Sequence, residues 1–108
     1  MSEAKLQAEV NKLLTANGWR WTHFRTAITQ AGHYVTAISG DKGFPDVIAV
    51  RGSRLLFAEL KREGGKLEPA QIEWREALYG WALVESRREY HLWKPSDFLS
   101  GEIERCLE

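Results

Sequence analysis

The chain has 108 residues, 44% hydrophobic and 28% charged, which suits one globular domain with one core. Fifteen basic and fifteen acidic side chains give zero formal net charge, which argues against a non-specific nucleic-acid binder. A single cysteine, Cys106, excludes an internal disulfide and suits a reducing cytosol, and no apolar run is long enough to span a membrane.

The N-terminus, MSEAKLQAEV, is charged and amphipathic, unlike a secretory signal. Residues 3–17 read as a helix: Leu6, Val10, Leu13 and Leu14 fall at i, i+4, i+7 and i+8, and Asn17-Gly18 stops it. Residues 19–25 alternate Trp19, Trp21 and His23 against Arg20, Thr22 and Phe24, the pattern of a strand packed on that helix. A short strand is expected near 34–38, followed by a turn over 39–43. His23 and His33 read as structural residues, and the chain shows no Cys/His metal spacing, repeat or low-complexity segment.

Val47, Ile48, Ala49 and Val50 form one apolar run, and Leu55, Leu56, Phe57, Ala58 and Leu60 a second. Such runs suit strands buried on both faces, and Gly52-Ser53 between them signals a hairpin. A two-residue turn opposes Arg51 to Arg54, Val50 to Leu55, and Asp46 to Glu59. Opposed residues share a face, with Cβ atoms about 4.5–5.5 Å apart, and like charges there repel. A divalent cation offsets that repulsion, since hard ions such as Mg²⁺ take carboxylate oxygens. Lys61, two residues past Glu59, shares the face. The bland alternative makes Asp46 a loop end and Glu59 and Lys61 a solvated terminus; all three on one face of buried strands favours a site.

Residues 62–66 form a basic turn whose glycines either let the backbone approach a phosphate or merely connect. A second helix is expected from Pro69 to Gly80, with Ala70, Trp74, Ala77, Leu78 and Trp81 on its core face. Gln71, in its first turn, either meets a polar partner or satisfies helix-end amides. Residues 81–86 and 89–93 read as strands joined at Arg87-Arg88, and Ser96 or Asp97 caps a last helix through Leu107. Residues 19–66 hold eight basic and four acidic side chains, so positive charge gathers around Asp46 and Glu59, where a phosphate backbone would lie, or else marks a generic mixed surface.

Pro45-Asp46, a dozen residues, then Glu59-Leu60-Lys61 forms a PD…ExK arrangement. With Gly43-Phe44 before it, Lys66-Leu67-Glu68-Pro69-Ala70-Gln71 after it and Trp74, the chain resembles the VRR-NUC group of the PD-(D/E)XK nucleases, whose small stand-alone members occur in phages and bacteria. The resemblance runs from the first helix to about Tyr79. It implies a single nuclease domain over 1–108, with an α/β, restriction-endonuclease-like mixed sheet flanked by helices. It also implies a metal-dependent endonuclease acting on DNA, selective for branched or junction substrates, in the cytoplasm of a bacterial or phage-infected cell. Asp46, Glu59 and the backbone carbonyl of Leu60 would ligate Mg²⁺ or Mn²⁺, Lys61 would orient water or hold a phosphate oxygen, and Gln71 would reach the site. An acidic residue of the first helix often joins such sites; the matching position is Gln7, a departure from Glu, with Glu3 and Glu9 as alternatives. Lys42, Arg62 and Lys66 are the expected phosphate contacts. The small members resemble homodimeric resolvases, and five Trp leave apolar area for pairing or for the core. Two other classes stay open: a non-catalytic nucleic-acid-binding module, and the nuclease subunit of a larger DNA-processing complex.

Overall fold

The computed structural model describes residues 1–24, 27–28, 34–35 and 39–108, the two short internal pieces by backbone alone. In chain order the elements are α1 (Glu3–Ala16), β1 (Arg20–His23), β2 (Ala27–Ile28), β3 (Tyr34–Val35), β4 (Val47–Arg51), β5 (Arg54–Leu60), α2 (Pro69–Ala82), β6 (Arg88–Trp93), α3 (Pro95–Leu99) and α4 (Glu102–Leu107). The expectations for Arg25, His33 and residues 36–38 fall outside the described residues.

Strands β1, β4, β5 and β6 form one mixed sheet in that order, and β2 pairs with β3 in a separate ribbon. The first two pairings of the sheet are antiparallel; β5 and β6 run parallel. A parallel neighbour needs a crossover, and α2 supplies it. The hairpin has the expected register, with Arg51 opposite Arg54, Val50 opposite Leu55, and Val47 opposite Ala58.

Side-chain alternation along β4 and β5 divides the interior between the two faces of the sheet. Val47, Ala49, Leu56, Ala58 and Leu60 face Leu6, Val10 and Leu14 of α1 and Ile103 and Leu107 of α4. Phe57, with Ile48 and Leu55 beside it, faces Trp74, Leu78 and Trp81 of α2, and Phe44 and Tyr90 join that cluster. The single core expected from the sequence is thus two, back to back. Leu6, Leu14, Leu56, Leu60, Ile103 and Leu107 are fully buried, and each such side chain stabilises the fold by about 1.5–3 kcal/mol. No described helix is long and apolar enough to cross a membrane.

Two expected elements take a different form. Residues 81–86 are not a strand: α2 runs through Gly80 to Ala82 and ends in a turn. Trp74, Leu78 and Trp81 fall at i, i+4 and i+7, and this stripe holds the helix on the sheet, Trp81 lying edge-on to Phe57 at 5.6 Å. Leu83 and Val84, apolar as a buried strand requires, are 88% and 77% exposed. Arg88 stacks over Trp81 and donates to its carbonyl oxygen at 3.3 Å, satisfying an end carbonyl of α2. The final helix is broken in two at Ser100-Gly101, where Gly101 takes φ +81°, a conformation that favours glycine. Neither Ser96 nor Asp97 is the cap residue; Pro95 opens α3, and the Asp97 carboxylate accepts the Lys94 N–H at 2.8 Å.

Candidate active site

Asp46 directly precedes β4, and its backbone carbonyl accepts the Phe24 N–H at 2.9 Å, continuing the β1 pairing. Continuing the hairpin register one step sets Asp46 against Glu59, near the end of β5. The Asp46 carboxylate accepts the Leu60 N–H at 2.8 Å. N–H and C=O of one strand residue point to the same side of the strand, so the Leu60 carbonyl also faces the Asp46 side. Lys61 lies on the Glu59 face and continues the ladder, its N–H donating to the Trp93 carbonyl at 3.0 Å.

Glu59 is only 2% exposed. Its pKa is pushed up from 4.5 to about 9, first by burial, then by the Asp46 charge and by hydrogen bonding between the two carboxyl groups. Lys61 opposes the rise and Glu3 adds to it. Burial and the neighbouring Asp46 charge thus both favour the protonated form of Glu59 in the metal-free protein.

Gln71 does both of the jobs open to it in the sequence. Its Oε1 accepts the Glu68 N–H at 2.8 Å at the start of α2, and its Nε2 donates to Glu59 Oε1 at 3.1 Å. One amide thus fixes the helix start relative to the buried carboxyl group. The loop before Asp46 is locked onto the same turn of α2. Gly43 has φ +92°, and a Cβ there would lie 2.6 Å from the Ala70 carbonyl carbon, so only glycine allows this approach. Trp74 Nε1 donates to the carbonyls of Lys42 and Asp41 at 3.1 and 3.3 Å, and Phe44 sits edge-on to Trp74 and Phe57 at 5.0 and 5.7 Å. The clamping roles of Trp74 and Phe44 were not read from the sequence, because their partners are backbone carbonyls and rings from distant segments.

On α1 the three candidates separate. Gln7 is buried, and its amide donates to Asn11 Oδ1 at 2.8 Å, along its own helix. Glu9 sits between Lys5 and Lys12, at 3.0 and 3.3 Å, and these two ammonium groups lower its pKa. Glu3 is the one whose charge acts on Glu59.

The basic residues also sort into two groups. Lys42 lines a shallow depression of about 370 Å³ with Gly43, Pro69 and Gln71, and Arg62 and Lys66 are exposed beyond the end of β5. The loop carrying them is anchored, because the Glu63 carboxylate accepts the Ser96 N–H and hydroxyl at 2.8 and 3.0 Å. Arg51 and Arg54, counted in the sequence among the charges around the site, belong elsewhere. They lie at the turn end of the hairpin, about 17 Å from Asp46 at the usual strand rise. Arg51 donates to the Leu107, Glu108 and Asn17 carbonyls at 2.7, 2.7 and 3.1 Å, and Arg54 to the Glu89 carboxylate. The Trp19 ring packs against both guanidinium groups, at 4.8 and 4.7 Å. These arginines hold the C-terminal helix to the sheet.

Comparison with protein-family models, with curated proteins and with solved structures finds no match for the chain.

Proposed function

We propose that the chain is a divalent-metal-dependent nuclease that hydrolyses phosphodiester bonds in DNA, built on a restriction-endonuclease-like variant of the mixed sheet. The observation that carries this reading is the buried Glu59 carboxyl group, held by Gln71 and sharing its face with Asp46 at the end of two apolar strands. A buried carboxyl group forced against a second one lowers stability, and such groups persist mostly where chemistry uses them.

The donor set fits a hard cation. Asp46, Glu59 and the Leu60 carbonyl offer oxygen alone, the chemistry of Mg²⁺ or Mn²⁺. When bound, such an ion lowers the pKa of a coordinated water and polarises a phosphate. The protein's own groups do the rest. Glu59 would hold the ion as a carboxylate, its proton passing to solvent. Lys61, on the same face, holds a phosphate oxygen or orients the attacking water. Gln71 keeps Glu59 in place and offers an amide beside it. Lys42, Arg62 and Lys66 surround this end of the sheet and contact phosphates, which carry no base information directly. Recognition then depends on backbone shape, and one centre cuts one strand. A two-fold dimer acting on a branched duplex is the arrangement that uses two such centres.

The test is cleavage of labelled four-way junctions, flaps and linear duplexes with Mg²⁺ or Mn²⁺, beside sedimentation. Activity that EDTA removes and Mg²⁺ restores, on junctions in preference to linear DNA and by a dimer, is the expected result. Full activity in chelator overturns the mechanism. Sequence-locked cutting of linear DNA by a monomer overturns the substrate assignment alone.

A further inference from the structure

On the opposite face of the sheet from Asp46 and Glu59, β6 and α4 bring together a thiol, an imidazole and a carboxylate. Glu89 and His91 alternate with Tyr90 along β6 and share the side of Trp93, whose core cluster Cys106 of α4 packs against. His91 Nε2 lies 3.0 Å from Glu89 Oε1 and 3.5 Å from Cys106 Sγ, and that sulfur lies 3.9 Å from the same carboxylate oxygen. A neutral imidazole nitrogen carries either a proton or a lone pair, so Nε2 serves one of these neighbours and not both in the same way. A tetrahedral zinc ion, with bonds near 2.3 Å to sulfur and 2.0–2.2 Å to nitrogen and oxygen, sets its donors about 3.3–3.6 Å apart. The three observed separations bracket that range.

The surroundings hold these donors in place. Arg54 grips both Glu89 oxygens at 2.8 Å and the Cys106 backbone carbonyl at 3.0 Å, fixing the strand side and the helix side of the cluster together. The His91 ring stacks on Trp93, with centroids 5.0 Å apart and planes 17° from parallel. The Glu89 and His91 side chains are 15% and 28% exposed, which leaves a path for an ion and for a water as fourth ligand.

We propose that Glu89, His91 and Cys106 form a second metal site, distinct from the carboxylate site and suited to a borderline-soft ion of the zinc type. Thiolate and imidazole donors select such an ion over Mg²⁺. Binding releases the thiol proton to solvent and joins β6 to α4 through three coordinate bonds. No Cys/His spacing announces the site in the sequence, because the whole of α3 and most of α4 separate His91 from Cys106.

Cobalt(II) titrated into the Asp46→Asn protein tests this with the carboxylate site weakened. Cys106 is the chain's one cysteine, so a thiolate-to-cobalt charge-transfer band reports on this atom alone. One equivalent of Co²⁺ should produce that band together with intense tetrahedral d–d bands, and Zn²⁺ should bleach both. Cys106→Ser should abolish them. His91→Gln, which leaves the Arg54–Glu89 pair intact, and Glu89→Gln should each weaken binding by at least the roughly 10–100-fold that losing an outer partner costs. Zn²⁺ should also raise the melting temperature of the Asp46→Asn protein and leave Asp46→Asn/Cys106→Ser unchanged. Absence of the thiolate band overturns the proposal. So does a band whose affinity survives His91→Gln, which would mark a thiol binding the probe by itself.

Discussion

Replacing Glu59 by Gln should stabilise the metal-free protein, and by an amount that grows with pH. The folded-state pKa is raised from 4.5 to about 9, so between those values the folded protein keeps a proton that the unfolded chain loses. The associated stability is fully present below pH 4.5 and declines as pH rises toward 9. At pH 7.5, three pH units above the unfolded value, the linkage slope amounts to a loss of up to about 4 kcal/mol in the wild-type protein. Gln has no proton to lose and still accepts the Gln71 N–H, so the variant escapes this loss. For a domain of this size, even half of that figure corresponds to roughly 8–16 °C in melting temperature. The assay is thermal unfolding by circular dichroism in EDTA, for both proteins, from pH 5 to pH 8.5. Melting curves should nearly coincide at the acid end and separate steadily above it, and Mg²⁺ should raise the wild-type value more than the variant's. A difference that stays constant across this range refutes the raised Glu59 pKa.

Other substitutions probe the same architecture. Asp46→Asn and Lys61→Ala should each lower Mg²⁺-dependent cleavage by on the order of 10²–10³, with the fold retained by circular dichroism. Gln71→Ala should lose cleavage and about 1 kcal/mol of stability in urea unfolding. Gln71→Glu should keep the cap to the Glu68 N–H but lose cleavage, and the metal-free protein should also lose stability because a carboxylate oxygen replaces the amide that donates to Glu59. Gly43→Ala forces a Cβ against the Ala70 backbone at positive φ, and should cost about 1–3 kcal/mol in the same measurement. Arg51→Ala should speed amide exchange in α4 and leave DNA affinity unchanged; a weakened complex with unaltered exchange would return Arg51 to the phosphate contacts.

The hairpin was legible because its turn is short: with Gly52-Ser53 fixed, every opposed pair is set by arithmetic, down to Asp46 and Glu59. The chain order of α1, β1, β4, β5 and α2 was legible because α1, β1 and α2 carry a local period and β4 and β5 are unbroken apolar runs on either side of a turn. The segment after Gly80 was not. Trp81 belongs to the stripe of Trp74 and Leu78, and that continuity outweighs the exposed Leu83 and Val84, which made residues 81–86 resemble a buried strand. Whether the last strand pairs parallel or antiparallel is a tertiary matter, decided once α2 crosses the sheet. Charge counting failed for Arg51 and Arg54 because closeness in sequence is not closeness along a hairpin, whose turn points away from its open end. The choice among Glu3, Gln7 and Glu9 rested on how α1 lies against the sheet, which helical periodicity leaves open.

The parallel pairing of β5 with β6 has a consequence for the order of folding. A hairpin joined by two residues forms within about 1–10 μs, whereas β6 reaches β5 only after the crossover through α2 closes a much longer loop. Until then the segment Leu55–Leu60 presents one free edge, and five of its six residues are apolar, the composition that recruits other chains. Glu59 is the exception. Wherever the hairpin forms ahead of that crossover, Glu59 meets water on the open edge and would place a negative charge on the exposed strand. A charge at that point would guard the unfinished chain against aggregation, so a Glu59→Gln variant should melt higher yet refold with lower yield at high protein concentration.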